Sequence, residues 1–125
     1  MTAGRYDIAI DQGSTFRKTI TWKDSSGNEI DLTGYSARMQ VRPTYSSSST
    51  TLNLTTANGG ITLGGDAGTI ELYVSATATA AIPTTSPSQF ADAFVGVYDL
   101  ELVAPNSDVT RLLHGDFIVN PEVTR

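Results

Sequence analysis

The stretch Asp31-Leu-Thr-Gly-Tyr-Ser-Ala-Arg-Met-Gln-Val-Arg42 decides the fold class. Asp31, Thr33 and Gly34 are turn formers. From Tyr35 the pattern becomes two-fold, with Tyr35, Ala37, Met39 and Val41 on one side and Ser36, Arg38, Gln40 and Arg42 on the other. Successive side chains of a strand point to opposite faces, so this is a half-buried strand launched from a tight corner. Pro43 ends it.

Working outward, the same period recurs. Tyr6–Ile10 alternates and reads as a first strand. Thr15–Lys23 reads as a second, with Phe16, Ile20 and Trp22 on one face and Arg17, Thr19, Thr21 and Lys23 on the other. Lys18 falls on the apolar face, as expected at an edge or for a snorkelling stem. This strand is expected beside Asp31–Arg42, which makes the latter a central strand. Asp24–Asn28 is a hairpin loop, with Gly27 free to take positive φ.

After Pro43, Thr44–Thr50 is a polar, serine-rich loop whose default is mobility. Short strands follow at Thr51–Thr55 and Gly60–Leu63, then a turn at Gly64–Gly68 and a strand at Thr69–Val74. Ser75–Ile82 is the helical candidate, with Ser75 as N-cap and Pro83 as stop. Pro83–Gln89 reads as a loop. Phe94–Val103 is a long strand with Phe94, Tyr98, Leu100 and Leu102 inward and Asp99 and Glu101 outward. Pro105–Asp108 is a hairpin turn. Val109–Asn120 is one long strand or a strand pair, and Gly115 within it marks a bulge or a close backbone approach. Pro121–Arg125 is a tail. About eight short strands at regular spacing specify an all-β fold. We expect an immunoglobulin-like antiparallel β-sandwich with one short helix. It forms a single domain over 1–125 with short N- and C-terminal arms.

Composition narrows function by exclusion. A chain of 125 residues suits one core. The net charge of -5 argues against nucleic acid and anionic membranes as partners. With no cysteine, disulfides, thiolate metal sites and cysteine nucleophiles are ruled out. No apolar run reaches membrane-spanning length, and the N-terminus lacks a signal-peptide core, so a soluble product of the cytoplasm is expected.

No motif specifies chemistry. His114 is the sole histidine, and no Gly-x-Ser-x-Gly elbow accompanies it. The carboxylates are scattered singly along the chain. Asp99 and Glu101 share a strand face, and solvent-facing charge on an amphipathic strand accounts for them. Asp24–Glu29 lacks the register of a calcium loop. The glycine-rich turns at 58–61 and 64–68 run into strands rather than helix N-termini. We therefore expect no enzyme, no cofactor, no metal and no small-molecule substrate.

Asp31–Arg42 resembles a segment of small bacteriophage structural proteins, in particular the N-terminal β-sandwich of siphophage upper baseplate proteins. Phe16–Trp22, Gly60–Leu63, Gly68–Leu72, Tyr98–Leu102 and Val109–Val119 follow the matching order. The resemblance implies a virion structural protein of the tail, baseplate or fibre-attachment region, made in the host bacterial cytoplasm. It would contact other virion proteins and copies of itself. A capsid decoration protein and a carbohydrate-binding module, the latter using Tyr45, Tyr73 and Trp22, are the alternatives. Arg38, Arg42, Tyr45 and Arg17 are the partner-contact candidates. Cross-strand pairing of the arginines with Asp99 and Glu101 is the competing explanation for their positions.

Overall fold

The computed structural model describes residues 4–82 and 94–121. Nine strands lie in these segments: β1 Gly4–Arg5, β2 Ile8–Asp11, β3 Phe16–Thr21, β4 Ser36–Arg42, β5 Leu52–Thr55, β6 Ile61–Leu63, β7 Thr69–Val74, β8 Phe94–Val103 and β9 Val109–Asn120. The larger sheet runs β1-β9-β8-β4-β5, with β2 also on β9, and the smaller runs β3-β7-β6. The expected loop at 83–89 and the tail beyond Pro121 lie outside the described residues, as does the side chain of Phe94.

The corner at Asp31 forms as its residues dictate. The Asp31 carboxylate accepts from the Thr33 amide at 3.0 Å and from its hydroxyl at 2.6 Å. These bonds hold the carboxyl below its usual pKa. Gly34 has φ +82°, and a Cβ there would meet Pro105 Cγ at 2.9 Å, so glycine is required twice over. β4 then alternates cleanly: Ala37, Met39 and Val41 are buried, and Ser36, Arg38 and Gln40 are exposed. They meet Tyr98, Leu100 and Leu102 of β8, Phe117 and Val119 of β9, and Ile8 and Ile10 of β2. Ile61, Ile70, Leu72 and Val74 of the smaller sheet close the core from the other side. Each such side chain contributes roughly 1.5–3 kcal/mol when fully buried.

Two expectations are corrected. β4 does not neighbour β3; it lies between β8 and β5, and β3 pairs with β7 in the other sheet. The β3–β4 connection crosses between the layers, and the inter-layer contact of two apolar faces carries the same alternation as strand neighbours would. The arrangement is also not wholly antiparallel. β1 and β2 run parallel to β9, with Gly4 opposite Leu113 and Ile8 opposite Phe117. The alternation at Tyr6–Ile10 reads as one strand, but the pairing is interrupted at Tyr6 and Asp7, which face Gly115. An added Cβ on Gly115 would clash with the Tyr6 carbonyl and lie 2.8 Å from Asp7 Oδ1. The glycine thus marks a close approach. The bulge lies three residues earlier, where Leu100 pairs with Leu113 but Glu101 pairs with Arg111, leaving Leu112 extra.

Other readings hold. Ser75 Oγ accepts from the Ala78 amide at 3.1 Å and starts α1, Ala76–Ala80. The buried Thr79 hydroxyl donates to the Ser14 carbonyl at 2.8 Å, pinning α1 across one end of the sandwich. Lys18 is half-buried on the edge strand β3, its ammonium 5.0 Å from the Tyr6 ring centroid. In the Asp24–Asn28 hairpin, Asp24 Oδ1 accepts from the amides of Ser26 and Asn28, and Gly27 has φ +85°. The strand order defines an immunoglobulin-like β-sandwich. The three-stranded layer faces a larger layer that adds an extra strand, β5, on one side and the parallel N-terminal strand on the other.

Candidate functional site

The outer face of the larger sheet gathers most of the candidate residues. Strand alternation puts Arg38, Gln40 and Arg42 of β4 on this face beside Glu101, Asp99 and Val97 of β8, their partners in the ladder. β9 adds Arg111, opposite Glu101. Arg38 Nε donates to Glu101 Oε1 at 2.8 Å, and Arg111 Nε sits 3.4 Å from Asp99 Oδ2. Arg42 Nη1 donates to the Ser47 carbonyl at 2.8 Å, and its Nη2 to Gln40 Oε1 at 2.9 Å. Arg42 thereby ties the serine-rich loop to the sheet, and Tyr45 in that loop is 74% exposed.

A shallow groove of about 220 Å³ runs between Gln40, Arg42, Tyr45, Val97, Asp99 and Arg111. A second, of about 310 Å³, adjoins it over Arg38, Gln40, Asp99 and Glu101. Burial pushes the Asp99 carboxyl above its usual pKa; Glu101 adds to this, and Arg111, Arg38 and Arg42 oppose it. The ion pairs are solvent-facing, and such pairs are worth about 0–1 kcal/mol each. Their effect here is to fix the side chains in one geometry.

Arg17 does not belong to this cluster. It lies on the smaller sheet, 4.4 Å above the Tyr73 ring and 3.7 Å from Glu71. The expectation that it shares a patch with Arg38 and Arg42 fails because β3 and β4 are in different layers. The three aromatic candidates are likewise apart. Trp22 packs edge-on to Tyr35 at 6.3 Å against the core, Tyr73 lies beneath Arg17, and Tyr45 stands on the opposite sheet's loop. His114 is a strand residue, opposite Asp99 in one ladder and Arg5 in the other.

Sequence reasoning places Arg38 and Arg42 on one strand face and names Tyr45 as a separate candidate, but misses Arg111. The Leu112 bulge shifts the phase of β9 between Arg111 and Leu113, so uninterrupted alternation from Phe117 assigns Arg111 to the wrong face. Cross-strand pairing accounts for Arg38 as the competing reading required; Arg42 uses Ser47 and Gln40 instead.

No protein-family model matches the chain, and no curated protein sequence matches it. Solved structures are similar in outline. One is the extracellular domain of the voltage-gated sodium channel beta4 subunit, described as a parallel homodimer with a role in cell-cell adhesion; it is 12% identical, covers 98% of this chain and 97% of its own, and has a TM-score of 0.44. Another, from work on multimeric cell-adhesive interactions of these beta subunits, is 12% identical over 98% and 96%, with a TM-score of 0.43. The virion reading is corrected by these findings. Both of these structures are of sodium channel beta subunits, and neither is a phage protein. The tail and head-decoration readings are withdrawn, and the carbohydrate-binding alternative goes with them because its three aromatics lie apart. The physical reason is visible in Asp31–Arg42. Its distinctive residues are those the corner and the core need: a carboxylate for Thr33, a glycine at positive φ against Pro105, and three buried side chains. They report a sandwich corner, not the assembly it serves.

Proposed function

We propose that this chain is a non-catalytic recognition domain that self-associates through the outer face of its larger sheet. The observation that carries the reading is the composition of that face. It combines Arg38, Arg42 and Arg111 with Asp99 and Glu101 around a groove flanked by the exposed Tyr45. A two-fold contact sets the same patch against itself. A face of mixed sign then meets its copy with arginines opposite carboxylates, whereas a single-sign face would repel. Tyr and Arg are the residue types that most often carry interface energy. The existing intramolecular pairs support this reading, because side chains already held in place lose less freedom on binding.

Sedimentation velocity across a concentration series tests it. The expected result is a reversible dimer that weakens with added salt. Arg42→Ala and Tyr45→Ala should each weaken it about tenfold, the equivalent of about 1.4 kcal/mol. A monomer at every concentration, or a dimer indifferent to both substitutions, would overturn it.

A further inference from the structure

Among the described residues β5 is an edge strand of the larger sheet, pairing only with β4. Edge strands expose unpaired backbone groups and are normally blunted by charge, proline or brevity. The other described edges follow that rule. β3 carries Arg17 and Lys18, β2 ends in Asp11, and β6 is three residues long. β5 reads Leu52-Asn-Leu-Thr55, with no charge and no proline.

Something else covers it. Asn58 Nδ2 donates to the Asn53 carbonyl at 2.8 Å, and Asn58 Oδ1 accepts from the Thr55 amide at 2.9 Å. The Thr56 amide bonds across to the Ala37 carbonyl of β4, so alternation turns the Thr55 amide the other way, toward the open side. A carbonyl and an amide two residues apart are the groups that one residue of a parallel neighbouring strand would engage. The side-chain amide of Asn58 has the donor and acceptor of a peptide unit and takes that place. Its position is fixed from behind: Oδ1 also accepts from the Gly60 amide at 2.9 Å, and the Asn58 amide donates to Thr55 Oγ1 at 3.0 Å.

We propose that the Asn58 side chain is a latch that closes the β5 edge, and that the edge, once unlatched, pairs with the β5 edge of a second copy. Charge argues for a second copy as the occupant. A two-fold axis across β5 brings each side chain opposite its equivalents, so a charged edge would oppose like charges, and this edge has none. Beside it lies an apolar notch of about 270 Å³ lined by Leu52, Leu54, Tyr73, Val74 and Ala78, and the same operation brings two such notches together across the axis. The edge adjoins the mixed-charge face, since Asn53 and Thr55 stand opposite Gln40 and Arg38, so each cross-linking chain is also made with Arg42→Ala, and an edge dimer must survive that substitution.

The chain has no cysteine, so one introduced thiol reports cleanly. Asn53→Cys is placed in the unaltered chain and in the Asn58→Ala and Asn58→Asp chains, and each is treated with a short thiol cross-linker and sedimented. Asn58→Asp keeps an acceptor for Thr55 but has no donor for Asn53. The expected result is a cross-linked dimer with both Asn58 variants, little with Asn58 present, and its loss when Thr55→Pro removes the outward amide. Hydrogen exchange on the unaltered chain adds a test that needs no variant: the Thr55 amide should be protected. Exchange there at the rate of an open amide, or folded Asn58 variants that neither cross-link nor sediment faster than the parent, would overturn the proposal. A dimer that is lost with Arg42→Ala but never cross-links at residue 53 supports the face and sinks the latch.

Discussion

Gly115→Ala tests how the N-terminal strand is held. The surroundings of Gly115 leave no room for a methyl group. The Tyr6 carbonyl and Asp7 Oδ1 stand against it, and the backbone there is pinned. The Tyr6 amide donates to the His114 carbonyl at 2.9 Å, the Tyr98 hydroxyl to the Tyr6 carbonyl at 2.5 Å, and the Asp116 amide to Asp7 Oδ1 at 2.9 Å. Forcing a methylene-sized group into a packed site costs about 1–3 kcal/mol. The alternative is to release β2. That forfeits the burial of Ile8 and Ile10, about 1.5–3 kcal/mol each. It returns roughly 1–2 kcal/mol of backbone entropy for each freed residue of the four in β2. Burial and entropy nearly cancel, so the cost of release is set by the β2–β9, Tyr6 and Asp7 hydrogen bonds given up with it, about 0.5–1.5 kcal/mol each. We expect a loss of about 1–3 kcal/mol with the strand detached. In urea denaturation the midpoint should fall and so should m, because less surface remains to be exposed on unfolding. The β2 amides should exchange faster than those of β4 and β8. An unchanged midpoint with protected β2 amides would refute the reasoning.

Two further predictions follow from single groups. Ser75→Ala removes the acceptor for the Ala78 amide and should cost about 1 kcal/mol in a denaturation midpoint, while Ser75→Thr should cost less. Asp99 has its carboxyl pKa raised in the folded chain, mainly by burial. The unfolded chain therefore ionises it more readily, and the charged form opposes folding. That cost is present above the raised value and is relieved as pH falls through it toward the ordinary 3.8. Stability measured against Asp99→Asn should accordingly improve for the parent chain as pH drops through this window, and a difference independent of pH would contradict the assignment.

Much of the sandwich was legible in the residues, because alternation is a local property. β4, β7 and β8, the Ser75 cap, the Gly27 hairpin and the corner at Gly34 all follow from it. Layer membership was not, since an apolar face looks the same whether its partner lies beside it or across the core; β3 was misplaced for that reason. The parallel attachment of β1 and β2 depends on contacts more than a hundred residues apart in sequence, such as Asp7 with Asp116. Gly115 signalled an intruder but not its identity. The outer face was half legible: Arg38 and Arg42 share a strand, whereas Arg111 was hidden by one extra residue at Leu112. The Asn58 amide was unreadable in advance, since Asn-Gly in a turn looks the same whether or not its side chain reaches a strand edge.

The parallel docking of β2 on β9 bears on how the molecule carries tension. Gly4 pairs with Leu113 and Asp11 with Asn120, so the chain enters beside the middle of β9 and its last described strand leaves beyond the far end of that pairing. A pull directed apart along these two strands slides one past the other. The hydrogen bonds between Ile8–Asp11 and Phe117–Asn120 then share the strain together, as a lap joint does, instead of opening one at a time like a zip. An antiparallel hairpin at the same place would peel. The clamp is short, at six residue pairs in two parallel runs, and its grip is seated at one glycine between them. The methyl group of Gly115→Ala should therefore lower the unfolding force more than its equilibrium cost suggests.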